Sequence, residues 1–366
     1  MFICFWQSLI TKVSILYNNF LRPLLFKFDP EFAHDLTCNL LDFANRSHIL
    51  KVIAKTLIRT ESAPVDLFGL RFPGFVGQAA GLDKDGRFPG ISSALGFSHI
   101  EVGTVTPGGQ PGNERPRLFR YPESDALVNR MGFNNRGSKA LAKHVSKFYP
   151  KGNRRSPLGI NIGKSKKTPI ELAGDDYLTA FTDVARQADY ITVNISSPNT
   201  PNLRSLHQKN YLLPLLKSIR AHNLEWANKN DQAPLPCLLK ISPDEDYRSL
   251  ESIISIAVES SFDGIIATNT SANRKHMGCM NSYEKGGLSG TPIEENSTRT
   301  IRFIAKLTDF KFPIIGVGGI FNADDASRKL DAGASLLQIY TSFVYNGPLF
   351  PSALANSLAY RKRRWT

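Results

Sequence analysis

The sequence lacks the features that mark several common classes of protein. Its four cysteines are scattered, with no CxxC pair and no metal-ligand spacing, so we expect free thiols and no metal site. Lys12 and Arg22 interrupt the first apolar run, which leaves no stretch of about 20 apolar residues for a membrane-spanning helix. The N-terminus has neither a leading basic cluster nor a small-residue cleavage site, so a cleaved secretory signal is not expected.

Acidic residues are also scarce relative to basic ones. The 366 residues include 45 Lys and Arg against 32 Asp and Glu, which gives a formal net charge of +13. Such an excess favours an anionic partner, which could be a phospholipid surface, a nucleic acid or a phosphorylated cofactor. An apolar fraction of 42% is enough for a large core, and the length fits one large barrel with an appendage or two ordinary domains.

The first 54 residues contain two amphipathic patterns. Eleven apolar residues recur with a helical period from Phe2 to Leu24, which predicts a helix ending near Pro23, and a second helix is predicted from Asp29. Leaving eleven such side chains in water would forgo roughly 15–30 kcal/mol, so something must cover them. They either pack on the rest of the chain or lie in a membrane interface, which the cationic polar face favours.

Beyond residue 60, short apolar runs alternate with helical patterns. The runs are of the buried kind found in parallel strands, which have both faces covered. Eight of them predict an α/β protein with a (β/α)8 TIM barrel, and Val65–Phe72 predicts a hairpin closing the barrel bottom. A doubly wound sheet is the alternative, but no GxGxxG follows the first strand. The predicted strands are Phe75–Ala80, His99–Gly103, Leu158–Ile162, Tyr190–Ile195, Leu235–Ile241, Gly264–Thr268, Pro313–Gly318 and Leu336–Tyr340.

Polar residues or glycines follow all eight predicted strands, where barrel enzymes carry their chemistry. Glycine-rich turns at 287–291 and 314–320 favour a phosphate site, because glycine lets backbone N–H groups approach an anion. Lys84 and Lys240 could stabilise charge on a bound ring. The amide-rich stretch 194–202, with Asn129 and Asn269, matches the donor and acceptor pattern of a cyclic imide or urea, although a capped proline-rich turn is the alternative.

In these same segments the sequence resembles the class 2 dihydroorotate dehydrogenases, which are quinone-dependent and membrane-associated. The matching blocks occur in the family's order from about residue 30 to the end of the chain. They are AAGLDKD at 79–85, GTVTP at 103–107, NRMGFN at 129–134, GINIGK at 159–164, NISSPNT at 194–200, ATNT at 267–270, GGLSG at 286–290, IGVGG at 315–319 and QIY at 338–340.

The resemblance implies one FMN per chain and a site that oxidises (S)-dihydroorotate to orotate in pyrimidine (UMP) biosynthesis. The implied FMN-binding residues are Ala80, Gly81, Leu82, Asp83, Lys84, Thr104, Asn161, Asn194, Lys240, Thr268, Gly290, Gly319, Tyr340 and Thr341. The implied substrate-binding residues are Lys84, Asn129, Arg130, Met131, Gly132, Phe133, Asn194, Asn199, Asn269 and Thr270.

Ser197 matches the family's catalytic base. A serine hydroxyl is a poor base unless its proton can leave, so we hypothesise a relay through Thr200 and a water beside Phe133. Serine at this position distinguishes the chain from the cytosolic class 1 relatives, which carry cysteine there. It also argues against a tRNA dihydrouridine synthase, which needs a cysteine acid on this loop. These two FMN barrels are nevertheless the alternatives.

The resemblance further implies that residues 1–54 form a helical extension for membrane association and a quinone tunnel, with residues 55–366 as the FMN-binding barrel. His34 and Arg120 match positions near the quinone head. We expect a monomer with no nucleic-acid partner, bound peripherally to an anionic membrane. The absence of an arginine-rich presequence favours the cytoplasmic face of a bacterial inner membrane over a mitochondrial one.

Overall fold

Eight parallel strands close into a barrel in the computed structural model, which describes residues 15–152, 154–273 and 284–365. In chain order the thirteen strands of the described residues are β1 (Val65–Leu67), β2 (Leu70–Phe72), β3 (Val76–Gln78), β4 (Ile100–Val105), β5 (Leu118–Tyr121), β6 (Ala126–Asn129), β7 (Leu158–Ile162), β8 (Tyr190–Asn194), β9 (Cys237–Ile241), β10 (Gly264–Ala267), β11 (Gly287–Gly290), β12 (Ile314–Val317) and β13 (Leu336–Ile339). The barrel order is β3-β4-β7-β8-β9-β10-β12-β13, returning to β3. The (β/α)8 prediction is confirmed, with each predicted strand in its place.

Helices cover the outside of the barrel. In the described residues they are α1 (Arg22–Leu25), α2 (Pro30–Arg46), α3 (His48–Leu57), α4 (Pro89–Ala94), α5 (Ser138–Phe148), α6 (Ala173–Val184), α7 (Lys209–Asn230), α8 (Tyr247–Glu259), α9 (Glu294–Leu307), α10 (Ala323–Asp331), α11 (Thr341–Asn346) and α12 (Phe350–Trp365). The eight barrel strands are buried beneath them along their whole length, apart from the half-buried Val317 at the end of β12. This burial explains why they are continuous apolar runs and not alternating ones.

The hairpin β1–β2 closes the bottom of the barrel, as predicted. Its strands pair antiparallel through a turn in which Phe68 and Gly69 both have positive φ, the backbone that suits a tight hairpin. Phe72 is fully buried and belongs to an apolar cluster with one side chain from each of five barrel strands, namely Tyr190, Leu238, Ile266, Ile315 and Leu336. The barrel is therefore plugged at this end, and a ligand can enter only at the other.

A three-stranded antiparallel sheet in the order β5-β6-β11 lies over the open end of the barrel. Asn129 is paired with Leu118 on one side and with Gly287 on the other. None of these three strands is among the eight that the sequence predicted, and residues 274–283 lie outside the described residues. The strands were missed because each is only four residues long, and because β11 pairs with β6, a segment distant in the chain.

The N-terminal extension packs against this sheet and the barrel. Residues Tyr17–Leu21 are π-helical, and the helix continues past the predicted end at Pro23 as far as Leu25. Asp29 caps α2, as predicted, by accepting bonds from the backbone N–H groups of Glu31 and Phe32. The part of the first predicted helix before residue 15 lies outside the described residues, as do Cys4 and Cys279.

The extension leaves much of its apolar surface uncovered by protein. Exposed side chains from α1, α2, α3 and the segment before them include Phe20, Leu24, Phe32, Leu40, Phe43 and Ile49. Among the described residues, no helix combines the length and the apolar character that crossing a bilayer would require. Helix α3 runs across residues 54 and 55, where the sequence predicted the boundary between the extension and the barrel domain.

Candidate active site

The carboxyl ends of the barrel strands surround a cavity beneath the three-stranded sheet. Most of the predicted site residues line it, although they are spread over more than 250 positions of the chain. Those present are Ala80, Gly81, Lys84, Thr104, Asn129, Met131, Gly132, Phe133, Asn194, Ser197, Asn199, Lys240, Asn269, Thr270 and Tyr340. We call this space the ring cavity, because a planar ring would be enclosed between the strand ends and the overlying sheet.

A second cavity adjoins the first at the ends of β12 and β13. The two share Ala80, Lys240, Asn269, Thr270 and Tyr340 among their walls. The predicted residues Thr268, Gly290, Gly319 and Thr341 line this second space, which we call the phosphate cavity. The strand ends thus form one elongated site.

Glycine is required at the turn that forms the wall of the phosphate cavity. Gly318 and Gly319 both have positive φ, at +121° and +69°. A Cβ on Gly319 would lie 2.4 Å from Cβ of Glu294, at the start of α9. Only glycine allows the backbone to pass this close, which leaves the N–H groups of the turn next to the cavity.

A network of hydrogen bonds fixes the polar groups at the barrel axis. Asn194 donates to Oγ1 of Thr104 over 2.9 Å, and that hydroxyl donates to Oδ1 of Asn161 over 2.6 Å. Asn161 in turn donates to the carboxylate of Glu101 over 2.8 Å. Lys240 Nζ lies 3.8 Å from the same carboxylate, and burial lowers the pKa of the lysine. Glu101 is fully buried and was missed, although an acid within an apolar strand was the available signal.

Ser197 lies on the loop after β8, in the wall of the ring cavity. Its side chain is only 6% exposed, and its Oγ accepts a hydrogen bond from the backbone N–H of Asn199 over 3.3 Å. The hydroxyl of Thr200, three residues on, is buried and has no hydrogen-bond partner among the described residues. Among the described residues the hydroxyl of Ser197 accepts this one hydrogen bond and donates none, so its hydrogen is available at the cavity wall.

Three of the predicted amide side chains meet around this loop. Asn199 Nδ2 donates to the backbone carbonyl of Asn129 over 3.0 Å, and Asn269 donates to Oγ of Ser196 over 3.0 Å. Asn194 and Asn269 are also within hydrogen-bond distance of one another. Loops after two strands and the covering sheet thus present fixed donors and acceptors to one space, as recognition of a cyclic amide requires.

Four predicted residues are not among those lining the ring and phosphate cavities. Asn161 acts through Thr104, and Leu82 lines a third cavity. Asp83 accepts bonds from the backbone N–H groups of Arg87 and Phe88, and burial raises its pKa to about 6. The guanidinium of Arg130 pairs with Glu284 and lies over the ring of Phe119. These side chains hold the walls of the site in shape.

The third cavity is lined mainly by apolar side chains. It lies between the extension and the barrel, and it shares Leu118, Leu127 and Tyr340 with the ring cavity. We call it the apolar cavity. Its wall includes both residues matched to the quinone site, His34 and Arg120, as well as Tyr17, Leu21, Leu25, Phe26, Leu40, Leu41 and Phe343.

The histidine and the arginine of the apolar cavity have distinct surroundings. Burial, reinforced by the charge of Lys84, lowers the pKa of His34 to about 3, so its imidazole is neutral at physiological pH. The guanidinium of Arg120 lies 4.4 Å from the ring centre of Phe26 and donates to the backbone carbonyls of Leu25 and Phe26. Arg120 thus closes the C-terminal end of α1 while keeping a cation at the cavity wall.

Sequence reasoning missed several other residues of the site. Ser289 lies between the ring and phosphate cavities, where its hydroxyl accepts a hydrogen bond from Thr341 over 2.8 Å. It belongs to the GGLSG block, in which the glycines were used to predict a phosphate site and the serine was not considered. Leu118 and Leu127, which separate the ring cavity from the apolar one, gave no signal because apolar residues in short strands are common.

Comparison with known proteins gives a consistent result. A model of the family described as dihydroorotate dehydrogenase matches residues 62–361. The dihydroorotate dehydrogenase (quinone) of Chromobacterium violaceum is 47% identical over 340 residues, covering 93% of this chain and 96% of the relative. That of Chloroflexus aurantiacus is 44% identical over 353 residues, covering 94% and 96%. A crystal structure of Eimeria tenella DHODH in complex with ferulenol is 33% identical with a TM-score of 0.81, covering 92% of each chain.

Proposed function

Because this chain belongs to the dihydroorotate dehydrogenase family, we propose that it oxidises (S)-dihydroorotate to orotate with a bound flavin and passes the electrons to a membrane quinone. This reaction belongs to pyrimidine biosynthesis. The observation that carries the proposal is the adjacency of two unlike cavities. A polar cavity with Ser197 and several amides shares the wall formed by Leu118, Leu127 and Tyr340 with an apolar cavity under the extension.

We propose FMN as the flavin. The paired polar and glycine-lined cavities fit a ring joined to a phosphate, and the buried hydroxyl of Thr268 in the phosphate cavity has no hydrogen-bond partner among the described residues. Gly290, Gly319 and Thr341 would hold the phosphate end, and Ala80, Thr104, Asn194 and Lys240 the ring end. When bound, FMN supplies the hydride acceptor and then a donor of electrons to the quinone.

The residues of the ring cavity have separable roles in this proposal. Lys84 and the amides of Asn129, Asn199 and Asn269 bind and orient the pyrimidine ring. Ser197 takes the proton from C5 of dihydroorotate as the hydride leaves C6. Since serine is a weak base, its own proton must move on, and the unpartnered hydroxyl of Thr200 supports our relay hypothesis. An unchanged rate of flavin reduction in Thr200→Ala would contradict the relay.

The extension supplies the quinone and membrane part of the proposal. His34 and Arg120 would contact the quinone head at the inner end of the apolar cavity. The exposed apolar side chains of α2 and α3 would enter the interface of an anionic membrane, with the net charge of +13 adding electrostatic attraction. We propose a monomer bound peripherally at the cytoplasmic face of a bacterial inner membrane.

Separate measurement of the two half-reactions tests the function. Under anaerobic conditions, dihydroorotate should bleach the flavin absorbance of the purified protein, and a short-chain ubiquinone should restore it. Failure of dihydroorotate to bleach the flavin, with NADPH succeeding, would refute the proposal and favour a dihydrouridine synthase. Rapid re-oxidation by fumarate but not by quinone would favour a class 1 enzyme.

A further inference from the structure

The phosphate cavity has an unexpected electrostatic composition. A phosphate monoester carries up to two negative charges, yet the only cationic side chain among the residues lining this cavity in the described chain is Lys240. That lysine also lines the ring cavity and faces the buried carboxylate of Glu101 at 3.8 Å. Backbone N–H groups supply hydrogen bonds but no full charge, so a balancing cation is to be sought behind the wall.

Lys329 of α10 is a cation in that position. Its side chain is 0% exposed, which is rare for lysine in the absence of an ionic partner. Its Nζ donates to Oγ of Ser297 over 3.1 Å, to Oγ1 of Thr298 over 2.9 Å and to the backbone carbonyl of Glu294 over 3.2 Å. All three acceptors are uncharged groups within the first five residues of α9.

The nearby acids are engaged elsewhere. The carboxylates of Glu294 and Asp325 both pair with Arg328, at 3.3 and 2.6 Å. Within the ranges that the structure describes, Lys329 forms no ion pair with either of them. Burial lowers the pKa of Lys329 to about 7, against the raising effect of Glu294 and Asp325, so an added anion nearby would favour its charged form.

The groups that bind Lys329 are the ones that support the glycine turn of the phosphate cavity. Ser297 donates from Oγ to the carbonyl of Val317 over 2.6 Å, immediately before the turn. A Cβ on Gly318 would lie 3.2 Å from that same Oγ, and one on Gly319 would lie 2.8 Å from the backbone nitrogen of Glu294. A single layer of atoms therefore separates the ammonium from the wall of the cavity.

We propose that Lys329 is the charge-balancing residue for the phosphate of the flavin nucleotide, acting through one layer of protein and making the site selective for a phosphorylated flavin. The proposal rests on the proposed function only in that it takes FMN as the ligand. Two opposite charges held apart by a thin, dry layer interact far more strongly than in water. The same lysine would contribute nothing to binding a flavin that lacks the phosphate.

The test compares FMN with riboflavin, which has the same ring and ribityl chain without the phosphate. Lys329→Met keeps the length of the side chain and removes the charge, while Lys329→Gln keeps a donor group and serves if the first variant does not fold. Lys306→Met, on the exposed face of α9, is the matched control. Equilibrium dialysis of each holoenzyme gives the Kd for FMN, and displacement of FMN by riboflavin gives the relative affinity.

We expect the Kd for FMN to rise roughly 10- to 100-fold in the Lys329 variants, while that for riboflavin changes by less than about 2-fold. The control should match the parent protein. Equal weakening of both flavins would show a packing role and overturn the proposal, as would unchanged FMN affinity. If the parent protein bound neither flavin, the proposed function itself would fail, so the two failures are distinguishable.

Discussion

Replacing Glu31 with glutamine would break a buried ion pair between the extension and the barrel. Glu31 in α2 and Arg117 beside β5 are 4% and 6% exposed, and their closest N–O distance is 2.8 Å. Removing one partner of a buried pair strands the other charge, which typically costs about 3–5 kcal/mol. Because glutamine keeps one acceptor oxygen and Arg115 also contacts Glu31, we expect a loss near the lower end, about 3 kcal/mol.

The effect should extend beyond stability to the substrate site. Arg117 also donates to the backbone carbonyls of Pro111 and Asn113, over 2.6 and 2.7 Å. The side-chain amide of Asn113 donates in turn to the carbonyls of Arg130 and Asn199, over 2.9 and 3.2 Å. A guanidinium that leaves this position would loosen the loops carrying Asn199, so the KM for dihydroorotate should rise.

Two assays check this prediction. Urea unfolding followed by tryptophan fluorescence gives the loss of stability, and anaerobic flavin reduction gives the dependence on dihydroorotate. Asp35→Asn is the matched control, since Asp35 is an exposed acid of the same helix that pairs with Arg115, and it should cost less than about 1 kcal/mol. A loss in Glu31→Gln no larger than in the control, or a change in the KM for quinone alone, would refute the reasoning.

Three further predictions concern the chemistry, the cofactor and the quinone site. Ser197→Ala should slow flavin reduction by roughly 10²- to 10⁴-fold without altering re-oxidation by quinone, and an equal loss in both half-reactions would contradict its role as base. Gly319→Ala should yield protein purified with little flavin, because the added Cβ meets Glu294 at a positive φ, and a normal flavin absorbance would contradict this. The imidazole of His34, whose pKa is lowered to about 3, should show constant NMR shifts from about pH 5 to 9. A transition near pH 6.5 would mean that it is solvated.

Membrane binding can be tested on the exposed apolar residues. Phe43 in α2 is 69% exposed, and Phe43→Ser should weaken sedimentation with anionic vesicles while leaving flavin reduction by dihydroorotate unchanged. Phe310, exposed at 64% outside the extension, offers the matched control Phe310→Ser. Equal effects of the two substitutions would mean that the extension has no special part in binding.

Local pattern determined the barrel and most of its site. Runs such as Leu158–Ile162 and Cys237–Ile241 are buried on both faces, so their apolar character and their alternation with helical patterns together identify them as parallel strands. Once eight such strands alternate with helices, closure brings all their carboxyl ends to one rim. Residues as distant as Lys84, Asn194 and Tyr340 could therefore be assigned to one site from the sequence alone.

Only the tertiary structure determined which segments cover the strand ends and which side chains lie behind the cavity walls. The cover over the ring cavity is made of four-residue strands, and its third strand, β11, joins it by pairing with the distant β6, which no local preference specifies. The position of Lys329 behind the glycine turn of the phosphate cavity likewise depends on how α10 packs against α9. The helical period determines on which face of α10 a side chain lies, but not which residues of another helix it contacts. The polar cavity at the strand ends and the apolar cavity beside it form only through long-range contacts, and no local pattern of the sequence encodes such contacts.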